Sequence, residues 1–290
     1  MAEKKGYLVV ALHPRLERTL RFSELETGEV NRTSEYSFDP AGNGVNLARA
    51  LRELGEPVTL LTHLGGPRRE TFLSLLREEE IDCEAVESVV EIPTVYTILD
   101  AKEESATELF EPGVSMDPGT EEALQERFRL LVREAHTVVL TASHCSAKSD
   151  ALLAELTKSG REAGARVLVD MPEGELRETV SRLPDMLRSR IDTVERALGG
   201  GGPAELVGRG VALILDEKQG VRLLLPGGAS VRRDFLEMSA VNPRGGHTAL
   251  TAGFLVEWRE SGDPDSSLER GVVTASMGAG QLRPGAIRRR

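Results

Sequence analysis

Apolar residues along this chain fall into two patterns that take turns. Short unbroken runs recur at Tyr7–Leu12 (YLVVAL), Val58–Leu61, Thr137–Thr141 (TVVLT), Arg166–Asp170 (RVLVD) and Val211–Leu215. A run with no polar alternate reads as a strand buried on both faces. Between the runs, apolar positions recur at helical spacing: Val45, Ala48, Leu51 and Leu54, then Phe72, Leu75 and Leu76 within Arg69–Glu80. Further helices are predicted over 120–135 and 150–163, in pieces over 174–198, and after Thr248. Strands alternating with helices predict an α/β fold with a mostly parallel sheet. Ligands of such sheets sit beyond the carboxyl ends of the strands. The ends of the strands at Asp170 and Asp216, and the loop Gly245–Thr248, are therefore expected on one rim. Thr19–Phe38, with Gly28 as a turn, and Pro93–Asp100 instead alternate polar with apolar, as short strands with one wet face do. They are expected to pair as a flap outside the main sheet. Residues 217–230 read as a hairpin, and Gly199–Gly202 as a flexible break.

Composition narrows the function classes. The chain has 290 residues and a formal net charge of −11, which argues against nucleic acid or an anionic membrane as partner. No apolar run reaches membrane-spanning length, and the amino-terminal stretch lacks a signal peptide's apolar segment. The two cysteines, Cys83 and Cys145, are far apart and lack metal-ligand spacing, so no metal site is expected and a reducing, cytoplasmic setting is.

Chemistry concentrates in SAVNPRGGHTALTAG, residues 239–253. Gly245 and Gly246 lead into a helix whose first N–H groups have no carbonyl partner within it, the makings of an anion site. The plainer reading is a loop-to-helix junction with Thr248 as N-cap.

Two segments carry a resemblance. AGNGVNLARALRELG (41–55) resembles the GGKGxNxARALxxLG signature of the phosphofructokinase-B (ribokinase-like) sugar kinases, and NPRGGHTALTAGFL (242–255) resembles their NPVGAGDALTAGFL signature. HPRLERTLRF (13–22) and TELFEPG (107–113) are similar to segments of the phosphosugar branch, the 1-phosphofructokinase and tagatose-6-phosphate kinase group. The resemblance implies a single domain over 1–290, a three-layer α/β/α fold with a small β-sheet lid drawn from about 13–40 and 93–110. It also implies phosphoryl transfer from Mg-ATP to a phosphosugar hydroxyl. On this alignment Glu17, Gly42, Asn43 and Asn46 meet the sugar, Gly245, Gly246 and His247 form the anion hole, and Glu195, Glu217 and Gly220 lie on the nucleotide side.

The departures from the family pattern matter more than the matches. The aspartate that acts as general base in the family falls on Thr248, and the glycine before it on His247. A hydroxyl cannot accept a proton near neutral pH, and loss of a general base costs on the order of 10²–10⁴ in rate. The substrate aspartate is Glu17, the lysine of GGKG is Asn43, the arginine after Pro-Thr is Val95 and the asparagine of NEPG is Phe110. The expectation is a family member silent or nearly so, acting through binding of phosphosugar or ATP/ADP. The alternative is an active phosphosugar kinase with His247 as substitute base. Asp170 and Asp216 are further candidates for that role if the rim geometry holds.

The remaining histidines, His13, His63, His136 and His144, read as surface or strand-end residues, Cys145 as a structural thiol and Trp258 as core. Arg32 and Arg49 are in reach of a phosphosugar, though Arg49 more simply supports the fold by surface pairing. Flap strands leave edges that a second copy can cover. A homodimer through 19–38 and 93–100 is expected, with Phe22, Tyr36 and Phe38 supplying apolar area.

Overall fold

The computed structural model describes residues 6–112, 115–142 and 147–288. At the middle of the larger sheet is β1 (Tyr7–Ala11), between β4 (Val58–Gly65) and β8 (Thr137–Thr141), both parallel to it. Beyond β4 lies β5 (Asp82–Glu91). Beyond β8 the parallel run continues through β9 (Arg166–Asp170), β10 (Met186–Arg190) and β11 (Ala212–Glu217). An antiparallel pair, β12 (Gly220–Leu224) and β13 (Ser230–Asp234), completes the nine strands.

Why the apolar runs become strands is visible in β1, every residue of which is buried. Side chains alternate across a strand. Val9 and Ala11 enter a core shared with α1 (Asn43–Glu53), α8 (Gly246–Glu260) and α9 (Pro264–Ala279), whereas Leu8 and Val10 enter a second core against α3 (Pro118–Leu131) and α4 (Ala147–Glu162). The first core also takes α2 (Arg69–Glu78); the second takes the short α5 (Arg177–Ser181), α6 (Ile191–Ala197) and α7 (Pro203–Gly208). The result is the expected three-layer α/β/α arrangement.

A separate four-stranded sheet runs in the order β3 (Glu35–Ala41), β2 (Arg15–Phe22), β6 (Thr94–Asp100), β7 (Ser105–Phe110). The predicted pairing of the early flap with 93–100 is present, as β2 parallel to β6. The register sets Phe38, Arg18, Tyr96 and Leu109 side by side across the sheet, with Tyr36, Leu20 and Ile98 in the next row. Tyr36 and Tyr96 are exposed, and the Arg18 guanidinium covers the Phe38 ring at 4.5 Å. Phe22, at the end of β2, is only 9% exposed and adds little open apolar area to this face.

Two strands differ from the sequence expectation. The stretch 174–198 is not continuously helical, because β10 inserts between β9 and β11. MLRSR holds no β-branched residue and no apolar run, so only pairing on both sides makes it a strand. β5 departs from the expectation too: it is an edge strand rich in glutamate, and edges carry weak apolar signals, whereas β7 falls within the lid range expected at 93–110.

Candidate active site at the carboxyl rim of the large sheet

Asp170 closes β9, Asp216 lies at the end of β11, and between them β10 contributes Arg188. Above them a 3₁₀ turn, Pro243–Gly245, leads into α8. The cap of this turn is Asn242, whose side-chain oxygen accepts from the Arg244 N–H at 3.0 Å. Thr248 is therefore not the N-cap; it is the third residue of α8 and only 3% exposed. The glycines answer to packing. A Cβ on Gly245 would lie 2.4 Å from the Gly278 carbonyl oxygen, and one on Gly246 3.0 Å from that of Ala275, so the close approach of α9 already requires both. The Gly245 N–H is donated to the Asn242 carbonyl at 3.0 Å.

The expected meeting of Asp170, Asp216 and the Gly245–Thr248 loop on one rim is found, and Arg188 joins them. Its Nη2 donates to Asp216 Oδ1 at 2.9 Å and to His247 Nδ1 at 3.0 Å; its Nη1 donates to Thr251 Oγ1 at 2.6 Å and to the His247 carbonyl. Thr251 passes its own proton to Asp170 Oδ2 at 2.6 Å, and His247 Nε2 lies 3.2 Å from Asp170 Oδ1. These partners assign the imidazole: Nδ1 accepts from the guanidinium, and Nε2–H donates to the carboxylate. Burial alone would push the Asp170 carboxyl up, but His247, Arg188 and the bond from Thr251 outweigh it and hold it down to about 2. Arg188 and Asp170 are 2% and 1% exposed, so the ions are out of water and mutually satisfied.

On the sugar side, Glu17 is buried in β2 with its carboxylate accepting from Thr97 Oγ1 at 2.7 Å, and burial raises it above the usual carboxylate range. Gly42 has φ 111° directly before α1, and a Cβ there would lie 2.6 Å from the His13 carbonyl oxygen. Asn43 opens α1, half exposed. Asn46 is buried, and its Oδ1 accepts from Arg49 Nη1 at 2.9 Å. Arg49 does not pair on the surface. It is 2% exposed, bound to Glu79 at 2.6 Å and to the carbonyls of Pro40 and Pro284. Thr19 Oγ1, Ser37 Oγ and Asp39 Oδ2, all in the small sheet, are buried with no hydrogen-bond partner. Arg244, from the turn before α8, reaches across to Glu108 of β7 at 3.1 Å and links the two sheets.

The residues expected on the nucleotide side lie apart from this network. Glu217 is held by Arg222 at 2.6 Å and Arg232 at 2.7 Å, inside the β11–β13 hairpins. Gly220 backs onto the Arg233 carbonyl, where a Cβ would approach to 2.3 Å. Glu195 stands exposed on α6.

Arg188 and Asp39 were missed from the sequence. Arg188 sits in an inconspicuous MLRSR, and Asp39 precedes Pro40 where a turn is the obvious reading; no local signal marks either. His63 is buried in β4, at 6% exposure, rather than at the surface. Trp258 is half buried and stacks on Phe254 at 5.5 Å. Cys145 and His144 lie outside the described residues.

Comparison with known proteins agrees with the fold. Residues 15–195 match the family described as pfkB family carbohydrate kinase. A 1-phosphofructokinase of Xanthomonas campestris is 28% identical over 163 residues, 56% of this chain and 51% of that protein. A tagatose-6-phosphate kinase of Staphylococcus epidermidis is 24% identical over 196 residues, 66% of this chain and 62% of that protein. The chain thus spans about half the length of the first of these relatives. Among solved structures, a possible 1-phosphofructokinase of Thermotoga maritima superposes with TM-score 0.79 at 18% identity, covering 96% of this chain and 93% of that one. At that identity the likeness is one of fold.

Proposed function

Because the chain belongs to the pfkB family of carbohydrate kinases, we propose that it is a phosphosugar-kinase homologue that keeps the fold and a binding cleft but is silent, or nearly so, in phosphoryl transfer. One observation carries this reading. The position of the family's base is Thr248, buried and without a carboxylate, and the neighbouring His247 has both ring nitrogens engaged. A base needs a free lone pair aimed at the acceptor hydroxyl. The Nδ1 lone pair is taken by Arg188 and Nε2–H is committed to Asp170, which counts against His247 as the substitute. Asp170 and Asp216 are compensated by the same guanidinium and are no better placed.

Mg-ATP is the cofactor the family implies, and the residues that the resemblance sets on its side, Glu195, Glu217 and Gly220, lie on α6 and at the β11–β12 turn. Asp170 and Asp216 share the single guanidinium of Arg188, and Glu217 pairs with Arg222 and Arg232. The orphaned Thr19, Ser37 and Asp39 oxygens under the small sheet favour a hydroxyl-rich ligand there, with Glu17 on the same face and Gly42, Asn43 and Asn46 at the start of α1. Here the small sheet serves as a lid on a single folded unit, in a cytoplasmic protein. No helix among the described residues is long and apolar enough to cross a membrane.

The test is ADP release from Mg-ATP with fructose 1-phosphate, fructose 6-phosphate and tagatose 6-phosphate. No release above a protein-free control is expected. Turnover at the ~1–100 per second usual for kinases would overturn the reading.

A homodimer through the lid completes the proposal. Tyr96, 41% exposed, lies in a row with Phe38 and Leu109, and Tyr36, 58% exposed, stands in the next row, an apolar face open to a partner. Tyr96→Glu should halve the mass measured by light scattering, since a carboxylate at the centre of such an interface is left unpaired. An unchanged mass counts against the interface.

A further inference from the structure

A cavity of about 560 Å³ opens where the two sheets meet, and none of Glu17, Gly42, Asn43, Asn46 or His247 lines it. Among the described residues its walls come from the ends of β1 and β4 (Leu12, His63), the inner strands of the small sheet (Val95, Phe110) and the side of α3 and α4 (Met116, Leu152). Pro14, Val90, Ile92, Pro93 and Pro112 add further apolar surface, beside His13, Ser115, Ser149 and five charged side chains.

The charges on this wall do not suit an anion. The lining holds two cations, Arg15 and Lys148, against three carboxylates, Glu91, Glu111 and Glu121. Both cations are occupied. Lys148 Nζ lies 2.9 Å from Glu121 and donates to the Met116 carbonyl, while the Arg15 guanidinium covers the Phe110 ring at 5.3 Å and lies 3.9 Å from Glu17. His63 adds no charge: burial pushes its imidazole below the ordinary value, and Nε2–H donates to the Leu12 carbonyl at 3.0 Å. A phosphate brought here would trade its hydration for apolar surface and a surplus of carboxylate, which is costly. Two of the apolar residues are the ones standing where the family resemblance places an arginine and an asparagine, Val95 and Phe110. The chain has replaced polar groups with apolar ones at the same cavity.

We propose that this cavity binds a small uncharged molecule carrying an apolar ring, seated against Phe110 and Val95, rather than a phosphorylated sugar. Its volume and mostly apolar lining with a few polar groups are those of a small-molecule site. The assignment does not depend on whether the chain transfers phosphate, so it stands or falls separately from ADP release.

The probe is N-phenyl-1-naphthylamine, a neutral fluorophore, titrated into the full-length protein. Saturable enhancement at one site per chain is expected, unaffected by excess fructose 1-phosphate. Phe110→Asn should weaken binding about tenfold by removing the aromatic wall. Phe110 is 52% exposed, so the fold should survive; an unchanged melting temperature checks this. Val90→Asp, on the same wall, should act alike, and Tyr96→Glu, on the outer face of the small sheet, should leave the affinity unchanged. Absence of saturable binding, indifference to both wall substitutions, or displacement by fructose 1-phosphate would overturn the proposal.

Discussion

Arg188→Leu should lose about 3–5 kcal/mol of unfolding free energy, the cost of removing one partner from a buried ion cluster. The guanidinium holds Asp216, Thr251, the His247 ring and the His247 carbonyl together, so its loss orphans acceptors on β11 and α8 at once. A leucine fills part of the volume and satisfies none of them. The pH dependence should weaken with it. In the wild type Asp170 is held down to about 2, so it contributes stability above the ordinary carboxyl range that is lost as pH falls through about 2. In Arg188→Leu, burial is opposed by fewer partners and the folded-state value rises. A smaller gap between the folded-state and unfolded values leaves less stability to lose as pH falls. Urea midpoints at pH 3 and pH 7 read both effects. A loss under about 1 kcal/mol would show that the cluster is solvated and not the keystone of the rim. Adding Asp170→Leu to Arg188→Leu should recover part of the loss, because replacing ions together costs less than stranding one.

The sequence makes the centre of this molecule legible and its margins obscure, and the reason is physical. Unbroken runs such as YLVVAL and TVVLT have one solution, a strand covered on both faces, so β1, β4, β8, β9 and β11 are predictable from pattern alone. β10 is not, because its MLRSR is made a strand by two neighbours and carries an arginine that only the third dimension explains. The site divides in the same way. That Asp170, Asp216 and the Gly245–Thr248 loop share a rim follows from where parallel strands end. That Arg188 rises among them depends on which residue of a weakly patterned strand faces up, and no spacing announces that. Arg49 teaches the converse. Its place in an exposed-looking helix motif suggests surface pairing, yet Glu79 lies thirty positions away and is delivered to it only by the packing of α1 on the chain after α2.

The largest functional effect should come from restoring two residues together. His247→Gly with Thr248→Asp should raise ADP release over the wild type by about 10²–10⁴, the usual worth of a general base, whereas Thr248→Asp alone should gain less than about tenfold. The single variant places a carboxylate on the first turn of α8, but the His247 ring still lies beside it, tied to Asp170 and Arg188. That ring also occupies space in which a phosphate would need to approach the N–H groups of the helix terminus. Removing it leaves Arg188 bound to Asp216, Thr251 and the carbonyl of residue 247, so the rim keeps its shape while the space beside the new carboxylate opens. The double variant therefore tests the base and the anion hole as one unit, which is how such groups act. If the single variant already reaches the full gain, His247 is no obstacle and only the carboxylate was missing. If the double variant stays at background while its urea midpoint matches the wild type, the loss extends to the groups that hold the substrates, with Asn43 in place of lysine and Glu217 locked between Arg222 and Arg232 the first to restore.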